Sequence, residues 1–179
     1  MNYFMSDPHF GHENIIKYCN RPFSNVKEMD ETIINNINNR VAETDTLFVI
    51  GDFCMKRSSE ASNAPQNAFD YYRNQIKCKN IIFLRGNHDK NNGTKTIIQS
   101  LIIEHGGIRI FFIHDPKYSE ENYRFNFCGH VHDKYKFRKL GKKSIIVNLS
   151  VEQWNYQPVD INEVLGAYST WLKSGKTNA

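Results

Sequence analysis

A layered α/β fold is predicted by three observations. Six β-rich apolar runs punctuate the chain, helical periodicity lies between several of them, and five of the six run directly into a side chain able to bind a metal ion. Strands separated by helices imply α/β layering, and ligands in such sheets gather beyond the carboxyl ends of the strands.

In chain order the runs are Asn2–Ser6, Thr46–Ile50, Asn80–Arg85, Ile108–Ile113, Arg124–Cys128 and Ser144–Leu149. Asp7 and His9 follow the first, Asp52 the second, Asn87 the third, His114 the fourth, and His130 with His132 the fifth. In extended chain, residues i and i+2 face one side, so Asp7 with His9 and His130 with His132 are expected to point into one site. The clearest helix is predicted at Val26–Val41, with Met29, Ile33, Ile34, Ile37 and Val41 on one face and Asn25 with Glu28 as a capping box. A second is expected over Gln66–Lys77, burying Phe69, Tyr72 and Ile76. A third is expected over Asn162–Leu172 behind Asp160, turning Val164, Leu165, Tyr168 and Leu172 inward.

The length of 179 residues suits one domain, taken as 1–173, followed by a disordered tail, 174–179. Composition is that of an ordinary globular chain, with 40% hydrophobic and 23% charged residues. A net charge of +4 suits a phosphorylated substrate but is too small for a polybasic nucleic-acid arm. Cys19, Cys54, Cys78 and Cys128 are far apart, form no C-x-x-C pair, and are expected as small core residues in a reducing cytoplasm. No secretory leader is expected, and no apolar run approaches the roughly 20 residues of a membrane span.

Two Asp, one Asn and four His form a mixed oxygen and nitrogen set. It suits divalent transition-metal ions, manganese first, with iron, zinc or nickel as alternatives, better than Ca²⁺ or Mg²⁺. Seven ligands are too many for one such ion. Two ions about 3.5–4 Å apart would use them all, with Asp52 the natural bridge because it lies between the ligand groups in sequence order. Singly, Asp7-Pro8 and Gly51-Asp52 are common turn pairs and a His-x-His is often only an exposed or core pair. Gly86-Asn87-His88-Asp89 is sharper, and the ordered set on strand ends is hard to produce by chance.

Asp7-Pro8-His9, Gly51-Asp52, Gly86-Asn87-His88-Asp89, His114 and Gly129-His130-Val131-His132 together resemble the five motifs of the calcineurin-like metallophosphoesterase superfamily over about residues 2–150. The resemblance implies a four-layer αββα sandwich of two mixed β-sheets. It also implies one metal on Asp7, His9 and His132, another on Asn87, His114 and His130, and Asp52 between them. The opening Ser6–Ile16, Arg21-Pro22-Phe23 and Trp154-Asn155-Tyr156 are similar to a small bacterial and phage-type branch.

The chemistry so implied is hydrolysis of phosphate esters by in-line attack of a metal-bridging hydroxide. His88, left without a metal, is the expected general acid, with Asp89 to orient or charge it. Arg85 is expected either to contact a phosphate oxygen or to cap a strand, and His12 either to touch substrate or to pack locally. Asp115 either supports His114 or starts a turn, and His105 is expected to be structural or exposed. Asp52 is followed by Phe53-Cys54-Met55-Lys56-Arg57 and not by the Asp-Arg pair of protein phosphatases, which argues against that activity. A diester is favoured over a monoester because no arginine cluster is available to clamp a dianion. The basic, aromatic segment Lys134–Lys143 is read as a solvated hairpin turning at Leu140-Gly141. Its functional alternative is a guide for a nucleotide or nucleic acid, which would make the enzyme a nuclease or cyclic-nucleotide phosphodiesterase. A non-catalytic scaffold of the same fold is a further alternative, opposed by the complete ligand set. The expected partner is the phosphate-ester substrate, with no membrane and no obligate protein partner.

Overall fold

The computed structural model describes residues 1–55, 67–89, 93–94 and 96–175. Its strands are β1 (Asn2–Met5), β2 (Thr46–Ile50), β3 (Asn80–Leu84), β4 (Ser100–His105), β5 (Ile108–Ile113), β6 (Phe125–Cys128), β7 (Phe137–Leu140), β8 (Ser144–Asn148) and β9 (Val159–Asp160). The helices are α1 (Glu13–Tyr18), α2 (Val26–Arg40), α3 (Ala68–Arg73) and α4 (Ile161–Lys173).

Two mixed sheets result. One has the order β3-β2-β1-β9, parallel except for β9; the other has the order β4-β5-β6-β8-β7, with β5, β6 and β8 parallel. Side chains of β1 and β2 alternate, as the period of two in a strand requires. Tyr3, Met5, Leu47 and Val49 face a core that includes Met29, Ile33 and Ile37 of α2 and Tyr72 of α3. Phe4, Phe48 and Ile50 face the second sheet, meeting Ile110, Phe112, Phe127 and Val147. That second core is dense in phenylalanine: the Phe4 ring lies 5.3 Å from Phe48, 5.4 Å from Phe112 and 5.6 Å from Phe127.

Helical cover is uneven. α1, α2 and α3 pack on the first sheet, whereas α4 sets Val164 and Tyr168 into the core between the sheets, beside Phe125 and Phe137. On the opposite face of the second sheet, cover comes from the segment before β6: Tyr123 stacks on Phe111, and Glu120 hydrogen-bonds the buried Asn126 through both its amide and its carbonyl. Polar Asn126 at the centre of a sheet is tolerated because Ser144 also accepts from it.

The local signals account for the helix ends. Asp160 accepts from Asn162 and Glu163 while the Glu163 carboxylate accepts from the Asp160 amide, a complete capping box. At α2 only half of the expected box forms. Asn25 accepts from the Glu28 amide, but the Glu28 side chain accepts from Ser24 instead of Asn25. α3 is shorter than the predicted Gln66–Lys77, and Gln66 lies outside the described residues. Leu172, expected inward, is exposed in the last turn of α4, while Trp171 packs on Phe137 in its place. Of the expected tail, Ser174 and Gly175 form a turn and 176–179 lie outside the described residues. The four cysteines are buried and free, and among the described residues no helix is long and apolar enough to cross a membrane.

Phe127 is fully buried at the centre of the aromatic core. Phe127→Ala is expected to destabilise the chain by about 3–5 kcal/mol, measured as a lower denaturant midpoint at unchanged slope.

Candidate metal centre

Parallel pairing places the carboxyl ends of β1, β2 and β3 on one edge, and of β5, β6 and β8 on one edge of the other sheet. Backbone bonds sew these edges together. The Ser6 amide donates to Leu149, the Val151 amide donates to Ser6, and the Ser6 hydroxyl donates to the Ile50 carbonyl at 2.6 Å. Loops from both sheets therefore empty into one place.

The paired ligands reach it by a route the extended-chain expectation does not describe. β1 ends at Met5 and β6 at Cys128, and beyond them Asp7 (φ 56), His9 (φ 53), His130 (φ 69) and His132 (φ 47) are all left-handed, as is Asp52 (φ 52). The sharing of a side comes from tight turns, not from strand pleating. Non-glycine residues at positive φ are strained and collect at functional sites, and here five of the eight among the described residues are expected metal ligands. Glycines make the close approach possible. A Cβ at Gly86 would collide with the Asp52 carboxylate, and one at Gly129 with the Ser6 hydroxyl and the Asp7 carboxylate.

Two donor clusters form. Asp7, His9 and His132 bring one donor atom each within 4.8 Å of one another, and so do Asp52, His114 and His130. Asp52 Oδ2 stands between them, 3.6 Å from His9 Nε2 and 3.4 Å from His114 Nε2. Asn87 joins the second cluster, its Oδ1 lying 3.0 Å from His114 Nε2 and 2.9 Å from His130 Nδ1. His114 Nδ1 faces the Ile50 carbonyl at 2.8 Å, which commits that nitrogen and turns Nε2 inward. All seven residues named from the sequence thus come together.

The donors fit a pair of divalent transition-metal ions. Asp7 Oδ1 and both ring nitrogens of His9 are buried with no hydrogen-bond partner among the described residues, unlike nearly all buried polar atoms. Burial works against the charge on Asp7, but His114, His9 and His132 outweigh it and hold its carboxyl well below the usual range. Burial likewise opposes charge on His114, yet Asp7 and Asp52 push it up to about 9. His132 goes up to about 11 against its burial, through Cys19, Glu152 and Asp7. The two buried carboxylates attract positive charge strongly, whether as protons or as a cation.

The remaining expected residues divide. His88 is exposed beside the first cluster, its ring 5.5 Å from His9, and its amide donates to Asp52 Oδ1. Asp89 does not serve that ring: one oxygen accepts from the amides of Asp52 and Gly86, the other from the Phe53 amide and the Thr94 hydroxyl. It is a staple between two ligand loops. His12 precedes α1 with its ring 5.4 Å from His9; burial, together with His9 and His88, lowers it to about 4, so it is neutral near pH 7. Arg85 lines a groove of about 800 Å³ with Asn87, His114, Lys117 and Tyr118. A second groove of about 330 Å³ is lined by His9, His12, Tyr18, His88 and His132. Asp115 caps the turn at Pro116–Tyr118 and pairs with Lys117, and His105 is exposed on β4. Lys134–Lys143 contributes the hairpin of β7 and β8. Lys136 Nζ lies 4.1 Å from the Trp154 ring, so this cation is already engaged.

Three supporting residues had no role in the sequence reading. Ser150 donates to Asp7 Oδ2, Glu152 meets His132 Nδ1 at 3.0 Å, and Arg21 donates to Glu152 and to the Asp7 and Pro8 carbonyls. Ser150 and Glu152 follow the sixth apolar run, so the rule applied to the first five strand ends would have pointed at them.

The chain belongs to the calcineurin-like phosphoesterase family, whose model matches residues 3–174. This is a family of metal-dependent enzymes that hydrolyse phosphate esters. The chain is 40% identical over 174 residues to the uncharacterized protein MJ1445 of Methanocaldococcus jannaschii, covering 91% of this chain and 88% of that protein. Its fold is similar to the crystal structure of the protein of unknown function AQ665 from Aquifex aeolicus, with a TM-score of 0.69 and 24% identity over 93% of this chain and 98% of that one.

Asp89→Ala would leave the amides of Asp52, Phe53 and Gly86 without their acceptor. It is expected to cost about 3 kcal/mol or more, read from chemical denaturation in the presence of chelator.

Proposed function

We propose that this protein hydrolyses phosphate esters, phosphodiesters in preference to monoesters, with two divalent transition-metal ions, manganese first. Asp7, His9 and His132 would hold one ion, Asn87, His114 and His130 the other, and Asp52 both. The observation that carries this reading is the pair of donor clusters on either side of the Asp52 carboxylate. When bound, such a pair of ions supplies an activated water for in-line attack and offsets charge on the phosphoryl oxygens.

The chain's own groups then divide the remaining work. His88, exposed at the rim of the smaller groove, would give a proton to the departing oxygen. His12, kept neutral by burial, faces substrate from the same groove. Among the described residues Arg85, in the larger groove, is the one guanidinium lining either opening, Arg21 being buried against Glu152. One guanidinium matches the single negative charge of a diester better than a dianion, and two grooves give room for two ester arms.

Hydrolysis of bis-p-nitrophenyl phosphate in Mn²⁺ is expected to exceed that of p-nitrophenyl phosphate, and to be lost on chelation and in Asn87→Ala. Equal turnover with chelator would remove the metal from the reading. His88→Ala is expected to cost about a hundredfold on an alkyl ester, a poor leaving group, and little on a p-nitrophenyl ester; equal effects on both would remove its role as acid.

A further inference from the structure

Beneath the Asp7–His9–His132 cluster lies a buried charge pair that neither the ligand set nor the proposed chemistry uses. Arg21 and Glu152 are 131 residues apart, and their side chains are 0% and 5% exposed. Arg21 Nε and Nη2 donate to Glu152 Oε1 at 2.9 and 2.7 Å, and His132 Nδ1 lies 3.0 Å from that same oxygen. The guanidinium is spent twice more, on the Pro8 carbonyl at 2.9 Å and the Asp7 carbonyl at 2.8 Å. The two branch motifs close over it. The Tyr156 ring centroid is 6.0 Å from the guanidinium carbon, and Phe23 meets Tyr156 edge-on at 4.8 Å.

Cys19, His132 and Glu152 also lie close enough together to hold a cation. The guanidinium argues otherwise: it already supplies the positive charge at Glu152 Oε1, the oxygen that His132 faces. A charged pair this deep is strongly disfavoured unless its members are well engaged; Arg21 is bound on every side, whereas Glu152 is engaged through Oε1 alone and its Oε2 is buried with no hydrogen-bond partner among the described residues.

We propose that Arg21 and Glu152 are positioning residues for the Asp7–His9–His132 half of the centre, an inference that rests on the dinuclear reading above. Glu152 accepts from His132 Nδ1, which fixes the tautomer and leaves Nε2 as the nitrogen presented to Asp7 and His9. Asn148 and Gln153 both donate to the His132 carbonyl, at 2.7 and 2.9 Å, so the backbone of this left-handed residue is held as firmly as its ring. Arg21 grips the carbonyls on the other side of the cluster and so ties the Asp7-Pro8-His9 loop to His132. The Arg-Pro-Phe and Trp-Asn-Tyr motifs are, on this account, the two jaws of one clamp on one metal position. The second cluster, whose His114 leans on the Ile50 carbonyl, does not depend on it.

The test is calorimetric titration of Mn²⁺ into the full chain, comparing wild type with E152Q and E152A. Gln keeps an acceptor for His132 and Arg21 but not the charge; Ala keeps neither. Wild type is expected to take up two ions. E152Q should weaken one site about tenfold and E152A the same site about a hundredfold, with the other site unchanged. Long-range ¹H–¹⁵N spectra of the Zn²⁺-loaded chain should show His132 protonated at Nδ1 in wild type and in E152Q. Wild-type affinity at both sites in E152A, or equal weakening of both sites in step with a lower melting temperature, would overturn the proposal. Should E152A not fold, E152Q decides, since unchanged affinity there overturns it. A wild-type chain that binds one ion or none fails the dinuclear reading itself, a result visible before any variant is compared.

Discussion

Everything in this molecule's candidate centre depends on the two sheets being fastened to each other at Ser6. Each sheet alone carries only part of the donor set: the first delivers Asp7, His9, Asp52 and Asn87, the second His114, His130 and His132. The Ser6 amide and carbonyl bond to the chain leaving β8, while its hydroxyl bonds to the end of β2. One residue therefore links three strand ends, and it is fully buried, where such bonds do not compete with water. The phenylalanine core holds the sheets face to face, but it sets no register along their edges. The bonds at Ser6 do.

Around that junction the chain works against its own preferences. Two carboxylates and several imidazoles are gathered in a space from which water is largely excluded, and the loops that present them are held in left-handed conformations. Such an arrangement survives only where surrounding bonds over-determine it. Asp89 gathers three amides from two ligand loops, Asp30 accepts the Gly11 amide with both oxygens, and Ser150 and the His130 amide share Asp7 Oδ2. Several of these supports are themselves acidic. Their charge adds to the pull on any cation entering the site, so scaffold and affinity are built from the same groups.

Much of this was legible in the sequence, for identifiable reasons. The six apolar runs match β1, β2, β3, β5, β6 and β8 to within a residue at each end because the inner strands β1, β2, β5, β6 and β8, and also the edge strand β3, carry near-continuous apolar residues. β4 was not separable from a loop, whereas β7 was legible only as one arm of the hairpin turning at Leu140-Gly141. β4 is an edge strand whose Glu104 and His105 stand in solvent beside the Gly106-Gly107 turn, and β7 carries Arg138 and Lys139. The short α1 was hidden because six residues give too few periods for a helical pattern. In the centre, convergence could be foreseen from strand ends, but the left-handed turns could not, since nothing in Asp-Pro-His or His-Val-His announces a positive φ. Glu152 stands just past the sixth apolar run, where the strand-end pattern points, but its pairing with Arg21 was not legible. Its partner Arg21 is 131 positions away, and pairing across that distance is a property of the folded chain alone.

The positive φ angles at Asp7, His9, Asp52, His130 and His132 carry an evolutionary consequence. At each of these positions glycine is the residue the backbone would choose, and replacement by glycine relieves strain while deleting a donor atom. Stability and donor capacity therefore pull the same five codons in opposite directions. A lineage released from the need for the centre would gain robustness by losing it, and the first traces of that release would be glycine or asparagine accumulating at these turns while the phenylalanine core stays intact. This chain carries Asp or His, not glycine, at all five positions, and so holds its donors at a thermodynamic cost.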